Sequence, residues 1–223
     1  MPTSQPTSKQ SSQTDRAELV LVRHGETVGE SSIRLYGATD IALSSLGVQQ
    51  LECVAEALKD AHFDRLIVSP LVRSRRSGEI VRAAMGEKPA VEVVEAFREI
   101  NFGAWEGWTF AEAAQRDPEN FARRASEGEE FGFPEGETRA GFYARVATAI
   151  TSERFATNRR TLVVVHKGII KILIRKLCGL SAEQASELPV SLGSIHRLRP
   201  RGETWEVVAG NQTGHLGDLD IGG

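Results

Sequence analysis

Two apolar runs of this chain each end in a histidine, at the point where a buried strand would stop. "LVLVRHG" places Arg23 and His24 there, and "LVVVHKG" places His166 there. A third run continues into "SPLVRSRR", which brings Arg73 to the start of the next element. Ligands of open α/β sheets bind outside the carboxyl ends of the strands. If these strands are neighbours, two imidazoles and several guanidiniums therefore converge on one edge of the sheet.

Guanidiniums beside imidazoles are suited to phosphoryl chemistry. Arginine matches the oxygens of a phosphoryl group with forked, charge-assisted hydrogen bonds. A neutral imidazole can attack phosphorus in line and form a phosphohistidine. The leaving oxygen then needs a proton, and "FREINFGAWEGW" supplies Glu99 and Glu106 in a partly apolar setting that raises the pKa of a carboxyl. A zinc site needs three or four ligands and would be repelled by arginines, so we expect no metal.

Alternating strands and helices must position these residues. Strand-like apolar runs lie at Leu19–Val22, Leu66–Val68, Val91–Val94 and Leu162–Val165. Helical patterns lie at Ser45–Leu58, Pro70–Ala84, Glu137–Phe155 and Ile169–Leu177. Short β-branched runs suit strands that are buried on both faces. The alternation predicts an α/β protein, a three-layer α/β/α sandwich with a mainly parallel central sheet.

One aromatic-rich segment interrupts this alternation. Ten of the fourteen aromatic residues lie between Phe97 and Tyr143, together with Pro118, Pro134 and several glycines. We expect an insertion that packs over the active-site end of the sheet. A substrate lid and a helical subdomain with its own small core are both compatible with this composition.

Length and composition favour one catalytic domain. The chain has 223 residues, 40% of them hydrophobic, and a net charge of -3, which gives no general attraction to nucleic acid or anionic membrane. We expect a disordered Ser/Thr/Gln-rich tail at residues 1–15, a single domain at 16–213 and a glycine-rich C-terminal tail at 214–223. No run is long enough for a membrane span, and the start lacks a signal peptide's apolar region, so we expect a cytoplasmic protein.

An ordered set of motifs resembles a known family. "LVRHGET", "YGATDIALSSLGVQQ", "SPLVRSR", "REINFGAWEGW", "PEGET" and "VVVHKGIIKIL" follow one another over Leu19–Leu216. They resemble the histidine phosphatase superfamily, the phosphoglycerate-mutase-like family, and within it the α-ribazole and sugar-phosphate phosphatases. The resemblance implies the α/β/α fold and a reaction through phosphohistidine. On matching positions it implies that His24 is the nucleophile, that Arg23, Arg73 and His166 bind the phosphoryl oxygens, and that Glu99 is the acid.

The surrounding pocket is less well defined. Its candidates are Gly25, Glu30, Ser31, Tyr36 and Lys167. Glu30 stands where the family usually has asparagine, and a carboxylate 4 Å from phosphate would oppose binding by about 1 kcal/mol in water. Alternatively Glu30 turns away, and Ser31 or Ser32 supplies the hydrogen bond. Lys167 replaces a common glycine and would add a cation near the phosphate.

These residues favour a metal-independent phosphomonoester hydrolase that acts on a small phosphorylated metabolite and needs no cofactor. The alternatives are a cofactor-dependent phosphoglycerate mutase and a weakly active phosphate-binding regulatory module. Between Phe97 and Arg145 ten acidic residues face six basic ones, which disfavours a doubly phosphorylated cofactor and hence the mutase. We expect neither nucleic acid nor membrane as a partner, while a homodimer is compatible with the sequence.

Overall fold

The computed structural model describes residues 17–223, so the predicted tail at 1–15 lies outside the described residues. The strands are β1 (Glu18–Arg23), β2 (Arg65–Val68), β3 (Ala90–Val93), β4 (Arg160–Val165), β5 (Ile195–Arg201) and β6 (Thr204–Gln212). They form one sheet in the order β3-β2-β4-β1-β5-β6. The first four run parallel, and β5 and β6 add an antiparallel hairpin at one edge. The predicted mainly parallel sheet is therefore confirmed.

Helices cover both faces of the sheet. They are α1 (Ser45–Leu58), α2 (Val72–Ala83), α3 (Phe110–Arg116), α4 (Pro118–Ser126), α5 (Arg139–Ala149), α6 (Lys167–Cys178) and α7 (Ala182–Ser186). Alternate residues of β1 enter two separate cores, since Val20 and Val22 pack with α1 while Leu19 and Leu21 pack with α6. Side chains of a strand alternate between its faces, so a strand covered on both sides must be apolar throughout. The result is the predicted α/β/α sandwich.

Helix boundaries follow local capping. Ser44 precedes α1 and its side chain accepts a hydrogen bond from Gly47 N, which satisfies a free amide of the first turn. Gly179 ends α6 in the left-handed conformation at φ 68°, which glycine adopts without strain. Helix α2 begins at Val72, two residues after the predicted start at Pro70. Helix α5 ends at Ala149, six residues before the predicted end at Phe155, because Ile150 leaves the helical region at ψ 87°.

The two edges of the sheet depart from the sequence analysis. Strand β3 was expected to be buried on both faces, but Val91 and Val93 are 50% and 49% exposed because β3 is an edge strand. At the other edge, β5 and β6 carry charged residues such as Arg197 and Glu206, and the sequence analysis places no strand there. An edge hairpin needs only part of its surface buried, which weakens its hydrophobic pattern.

The aromatic-rich segment forms a packed unit between β3 and α5. We call residues 94–138 the insertion; Phe142 and Tyr143 belong to α5 instead. Trp105 is fully buried and lies 5.5 Å from Phe133 and 5.9 Å from Phe131, measured between ring centroids. Trp105 Nε1 donates to Asp117, which satisfies its one polar atom. The insertion therefore has an aromatic core of its own, continuous with that of the main sheet.

The glycine-rich segment 214–223 packs along the domain, so it is not a free tail. Leu216 is buried, and the carbonyl oxygens of Leu219 and Gly222 accept hydrogen bonds from Gln50 Nε2 and Leu192 N. Its last described residue, Gly223, reaches the carboxyl end of the sheet. Across residues 17–223, no helix is long and apolar enough to cross a membrane.

One ion cluster joins three strands, and it provides a test of the fold. Glu18 of β1 accepts hydrogen bonds from Arg160 of β4 at 2.6 Å and from Arg197 of β5 at 2.9 Å. Burial opposes ionisation, but the two guanidiniums together lower the pKa of Glu18 below 4.5. A lowered carboxyl pKa contributes stability that is present above the unfolded pKa and is lost as pH falls through the folded pKa.

We therefore expect Glu18→Gln to lower the free energy of unfolding at pH 7 by about 1–3 kcal/mol, because both arginines lose their charged partner. Urea denaturation at pH 7 and at pH 3 measures this, and the difference from wild type should shrink at pH 3. Glu203→Gln, an exposed site in the β5–β6 turn, is the matched control. An equal loss in both variants would show that the cluster does not hold the strands together.

Candidate active site

The carboxyl ends of β1 and β4 bring the two histidines together. Arg23, the last residue of β1, lies opposite Val165, the last residue of β4. His24 and His166 follow directly, and His24 N donates to Val165 O at 3.0 Å. Their ring centroids are 5.1 Å apart at an interplanar angle of 62°. Adjacent parallel strands thus produce the pair that the two sequence runs predicted.

Hydrogen bonds fix one nitrogen of each imidazole. His24 Nδ1 lies 2.7 Å from Gly25 O, a carbonyl that can only accept, so Nδ1 bears the proton and Nε2 is unprotonated. His166 Nε2 lies 2.6 Å from Ser69 Oγ. Both rings are buried, and burial together with Arg73 and Arg23 holds their pKa values well below 6.5. Both histidines are therefore neutral at physiological pH.

Two buried arginines surround the histidines. Arg73 is fully buried, and its Nη atoms donate to the carbonyl oxygens of Tyr36, Gly37 and Thr39 at 2.7–3.2 Å. Arg23 Nη1 donates to Val190 O at 2.7 Å. The Nε atoms of both arginines have no hydrogen-bond partner among residues 17–223.

Desolvation lowers the pKa of both guanidiniums. Burial brings the pKa of Arg23 down to about 10 and lowers that of Arg73 from 12.5. Each arginine stays protonated at neutral pH. The strand ends thus hold two buried positive charges.

Glu99 lies beside these groups and is 7% exposed. Its Oε1 accepts from Ile100 N at 2.9 Å, and its Oε2 accepts from Gly168 N at 2.8 Å. Burial raises the pKa of Glu99, although these amides and the two buried arginines oppose the rise. Glu99 is therefore the carboxyl of this cluster that most readily keeps a proton.

A second carboxylate positions the loop that holds Arg73. Glu106 accepts hydrogen bonds from the backbone amides of Gly37 and Ala38 at 3.0 Å, and from Phe102 N at 3.0 Å. The carbonyls of the same "YGAT" loop face Arg73. The structure thus gives Glu106, the second carboxyl of "FREINFGAWEGW", the specific role of fixing this loop.

Glu30 and Ser31 do not join the histidines. Glu30 has its side chain 65% exposed and pairs with Arg34 at 3.5 Å, so the repulsion expected from a carboxylate facing phosphate does not arise. Its backbone is left-handed, with φ 63°. Ser31 Oγ donates to Glu26 Oε1 at 2.8 Å, so it does not supply the hydrogen bond proposed in place of Glu30. The Ser32 amide also donates to Glu26, at 3.2 Å.

The other three pocket candidates line or support the cluster. A β-carbon at Gly25 would lie 2.4 Å from Gly47 O, so only glycine fits beside His24. Tyr36 contributes its carbonyl to Arg73. Lys167 Nζ donates to Gly223 O at 3.1 Å, and burial together with Arg23 lowers its pKa to about 8.

The sequence analysis missed two contacts that shape the site. Gly223 O accepts from Arg23 Nη1 at 2.8 Å, which draws the end of the 214–223 segment onto the cluster. Ser69, the first residue of "SPLVRSRR", was given no role, yet its hydroxyl orients His166. The proline that follows Ser69 was a usable signal for a turn there.

The arrangement can bind a phosphoryl group and attack its phosphorus atom. It combines neutral imidazoles, buried cations and one carboxyl of raised pKa, which is the charge pattern required for a phosphoryl group. Among residues 17–223, no group of three or more His, Cys, Asp or Glu side chains is arranged to hold a metal ion.

The role of Glu106 can be tested by Glu106→Gln. An amide has one acceptor oxygen and turns N–H donors toward backbone N–H groups, so the "YGAT" loop and Arg73 should shift. We expect calorimetry to show weaker binding of inorganic phosphate. The kcat/KM for p-nitrophenyl phosphate should fall by about 10- to 100-fold.

Because the charge of Arg73 lowers the pKa of His24, a displaced Arg73 should let that pKa rise, and the pH dependence of turnover should move with it. Glu119→Gln, exposed in the same insertion, is the control. Unaltered phosphate binding in Glu106→Gln would contradict this positioning role.

Comparisons with known proteins agree with this geometry. The family model of the histidine phosphatase superfamily (branch 1) matches residues 19–213. A probable phosphoglycerate mutase of Erwinia tasmaniensis is 30% identical over 190 residues, which cover 84% of this chain and 87% of the relative.

Two solved structures show the same fold, and both are named as phosphatases. A candidate α-ribazole-5′-phosphate phosphatase of Escherichia coli superposes with a TM-score of 0.80 at 25% identity, covering 89% of this chain and 97% of the other. A phosphoserine phosphatase of Entamoeba histolytica in complex with 3-phosphoglyceric acid gives 0.75 at 27% identity, covering 89% and 98%. The chain therefore belongs to branch 1 of the histidine phosphatase superfamily and is a phosphatase.

Proposed function

We propose that this phosphatase hydrolyses a small phosphomonoester without a metal ion, through a phosphohistidine formed on His24. One observation supports this most directly. The Nε atoms of Arg23 and Arg73 and the Nδ1 atom of His166 are buried polar atoms without a partner among the described residues. Buried donors normally have partners, and a phosphoryl group on His24 Nε2 would supply three oxygens to them.

The first step transfers the phosphoryl group to His24. The lone pair of His24 Nε2 attacks phosphorus, and the bond from phosphorus to the ester oxygen breaks with its electrons on that oxygen. Glu99 gives its proton to the leaving oxygen and becomes a carboxylate. Arg23, Arg73 and His166 bind the phosphoryl oxygens while charge moves across them.

The second step returns the site to its starting state. A water molecule gives a proton to the Glu99 carboxylate as its oxygen attacks phosphorus. The bond from phosphorus to Nε2 breaks, its electrons return to the imidazole, and inorganic phosphate leaves. The bond between His24 Nδ1 and Gly25 O keeps the same ring nitrogen available for the next cycle.

The fate of the phosphohistidine distinguishes this hydrolase from the mutase alternative. A mutase transfers the phosphoryl group to a second hydroxyl, whereas a hydrolase transfers it to water. The Erwinia relative favours the mutase by its name, while the Escherichia and Entamoeba structures favour the hydrolase by theirs. Glu30 gives no support to the weakly active regulatory module, because its carboxylate pairs with Arg34 away from the histidines. We therefore retain the hydrolase, with a small phosphorylated metabolite as substrate.

The first test is turnover and trapping with His24→Ala. Wild type should hydrolyse p-nitrophenyl phosphate in the presence of EDTA and give an acid-labile phosphoprotein on rapid quenching. His24→Ala should lose both signals by at least about 10³-fold, since it lacks the nucleophile. His62→Ala, at an exposed histidine, is the control.

Turnover that depends on a metal, or that survives His24→Ala, would refute the proposal. Incubation with 3-phosphoglycerate tests the alternative, because a mutase yields 2-phosphoglycerate while a hydrolase releases inorganic phosphate.

The role of Glu99 predicts a specific pH profile. His24 must be neutral, and its lowered pKa places the rising limb of kcat/KM well below pH 6.5. Glu99 must be protonated for the first step, and its raised pKa places the falling limb above pH 4.5. We expect the maximum between these two limbs, and loss of the falling limb in Glu99→Gln.

The leaving group separates proton donation from other effects. Glu99→Gln should lower kcat/KM for glycerol 3-phosphate by about 10²- to 10⁴-fold, and for p-nitrophenyl phosphate by much less, because nitrophenolate leaves without a proton. Glu95→Gln, exposed nearby on the chain, is the control. Equal losses for both esters would show that Glu99 is not the proton donor.

A further inference from the structure

A cleft of about 690 Å³ opens beside the proposed catalytic acid, between the insertion and helices α5, α6 and α7. Gly168 and Phe142 form its wall next to Glu99, since a β-carbon at Gly168 would lie 2.4 Å from Glu99 Oε1 and 2.9 Å from the Phe142 ring. Gly168 N also donates to Glu99 Oε2. The part of a substrate beyond its ester oxygen must lie near Glu99, so this cleft is placed to receive it.

The lining of this cleft is rich in cations. Arg124, Arg139, Lys171 and Arg175 line it, against the carboxylates of Glu129 and Glu183. Arg175 is paired with Glu129. Within residues 17–223, the other three cations have no carboxylate oxygen within 4.0 Å.

The surroundings of these three cations hold them in the cleft. Arg124 stacks on Phe110 and Phe121, with its guanidinium carbon 5.0 and 4.8 Å from the ring centroids. Arg139 Nη1 donates to Arg124 O and to Gly128 O. Lys171 Nζ donates to Ser186 O, which joins α6 to α7. Backbone carbonyls and aromatic faces fix these side chains without neutralising their charge.

The charges also interact with one another and with the phosphate site. Burial first, and then the nearby charge of Arg124, lowers the pKa of Arg139. Burial and Arg23 lower the pKa of Lys171 in the same way. Arg124 Nε is buried and has no hydrogen-bond partner among the described residues. Like charges held together with a free donor are stabilised by an anion placed between them.

We propose that this cleft binds a second anionic group of the substrate, a carboxylate or a further phosphoryl group, through Arg124, Arg139 and Lys171. The natural substrate is then a phosphomonoester whose leaving group bears another anion. The inference rests on the proposed function, because it assigns the remote part of the same substrate.

The test measures binding in a background that cannot turn over. Calorimetry on His24→Ala compares esters that differ only by a carboxylate in place of a hydroxymethyl group. The three-carbon pair is 3-phosphoglycerate with glycerol 3-phosphate, and the six-carbon pair is 6-phosphogluconate with glucitol 6-phosphate. Mannitol 1,6-bisphosphate with mannitol 1-phosphate tests a phosphoryl group at the same site.

In at least one pair we expect the ester with the second anion to bind about 10- to 100-fold more tightly. Adding Arg124→Gln or Lys171→Gln should reduce this preference to within about threefold, since each removes one charged donor. Arg123→Gln is the matched control: it removes the same charge from α4, but Arg123 is half exposed and pairs with Glu127.

Equal affinities within all three pairs, or a preference that survives both variants, would overturn the inference. So would a preference that Arg123→Gln removes equally, because the effect would then be one of net charge. Phosphoprotein trapping in wild type tests the proposed function separately. A binding preference without phosphoprotein would refute the mechanism alone, and phosphoprotein without a preference would refute the second anion site alone.

Discussion

The burial of two guanidiniums at the carboxyl end of the sheet is the constraint on which the rest of the site depends. Arg23 and Arg73 are 4% and 0% exposed, and Glu99, a buried carboxyl that acts on both, has a raised pKa. A buried charge without a counter-ion is costly unless hydrogen bonds replace its water. Backbone carbonyls of the "YGAT" loop bind Arg73, and those of Val190 and Gly223 bind Arg23. Several loops must therefore meet at this point before the arginines can be buried.

The same burial sets the protonation states that the chemistry needs. Desolvation and the arginine charges both lower the pKa values of His24 and His166, so both imidazoles are held neutral. Desolvation raises the pKa of Glu99 while the arginine charges lower it, and desolvation is the larger effect. An imidazole with one unprotonated ring nitrogen and a carboxyl that readily keeps its proton can thus coexist within one cluster.

The sequence predicts the strand ends well and the loops poorly. His24 and His166 follow fully apolar strands, and parallel pairing alone brings them together. The hydrogen bonds of Glu106 to the "YGAT" loop depend on contacts more than 60 residues apart, which no local pattern records. Glu30 is similar, because its left-handed φ of 63° is invisible in composition. Asparagine tolerates that conformation better than glutamate, so the backbone at Glu30 is strained.

A count of charged residues also fails to predict which ligand a site binds, because the count does not say where the charges lie. Ten acidic residues against six basic ones between Phe97 and Arg145 argued against a doubly phosphorylated cofactor. In the folded protein many of those acids are used elsewhere: Glu106 binds loop amides, and Glu112 pairs with Arg34. Arg124 and Arg139, which pair with no carboxylate among residues 17–223, instead face the cleft beside Glu99. Interactions weaken within about 10 Å at ordinary salt, so a ligand responds to the cleft and not to the total. The acidic composition of this region is therefore no argument against a doubly anionic substrate.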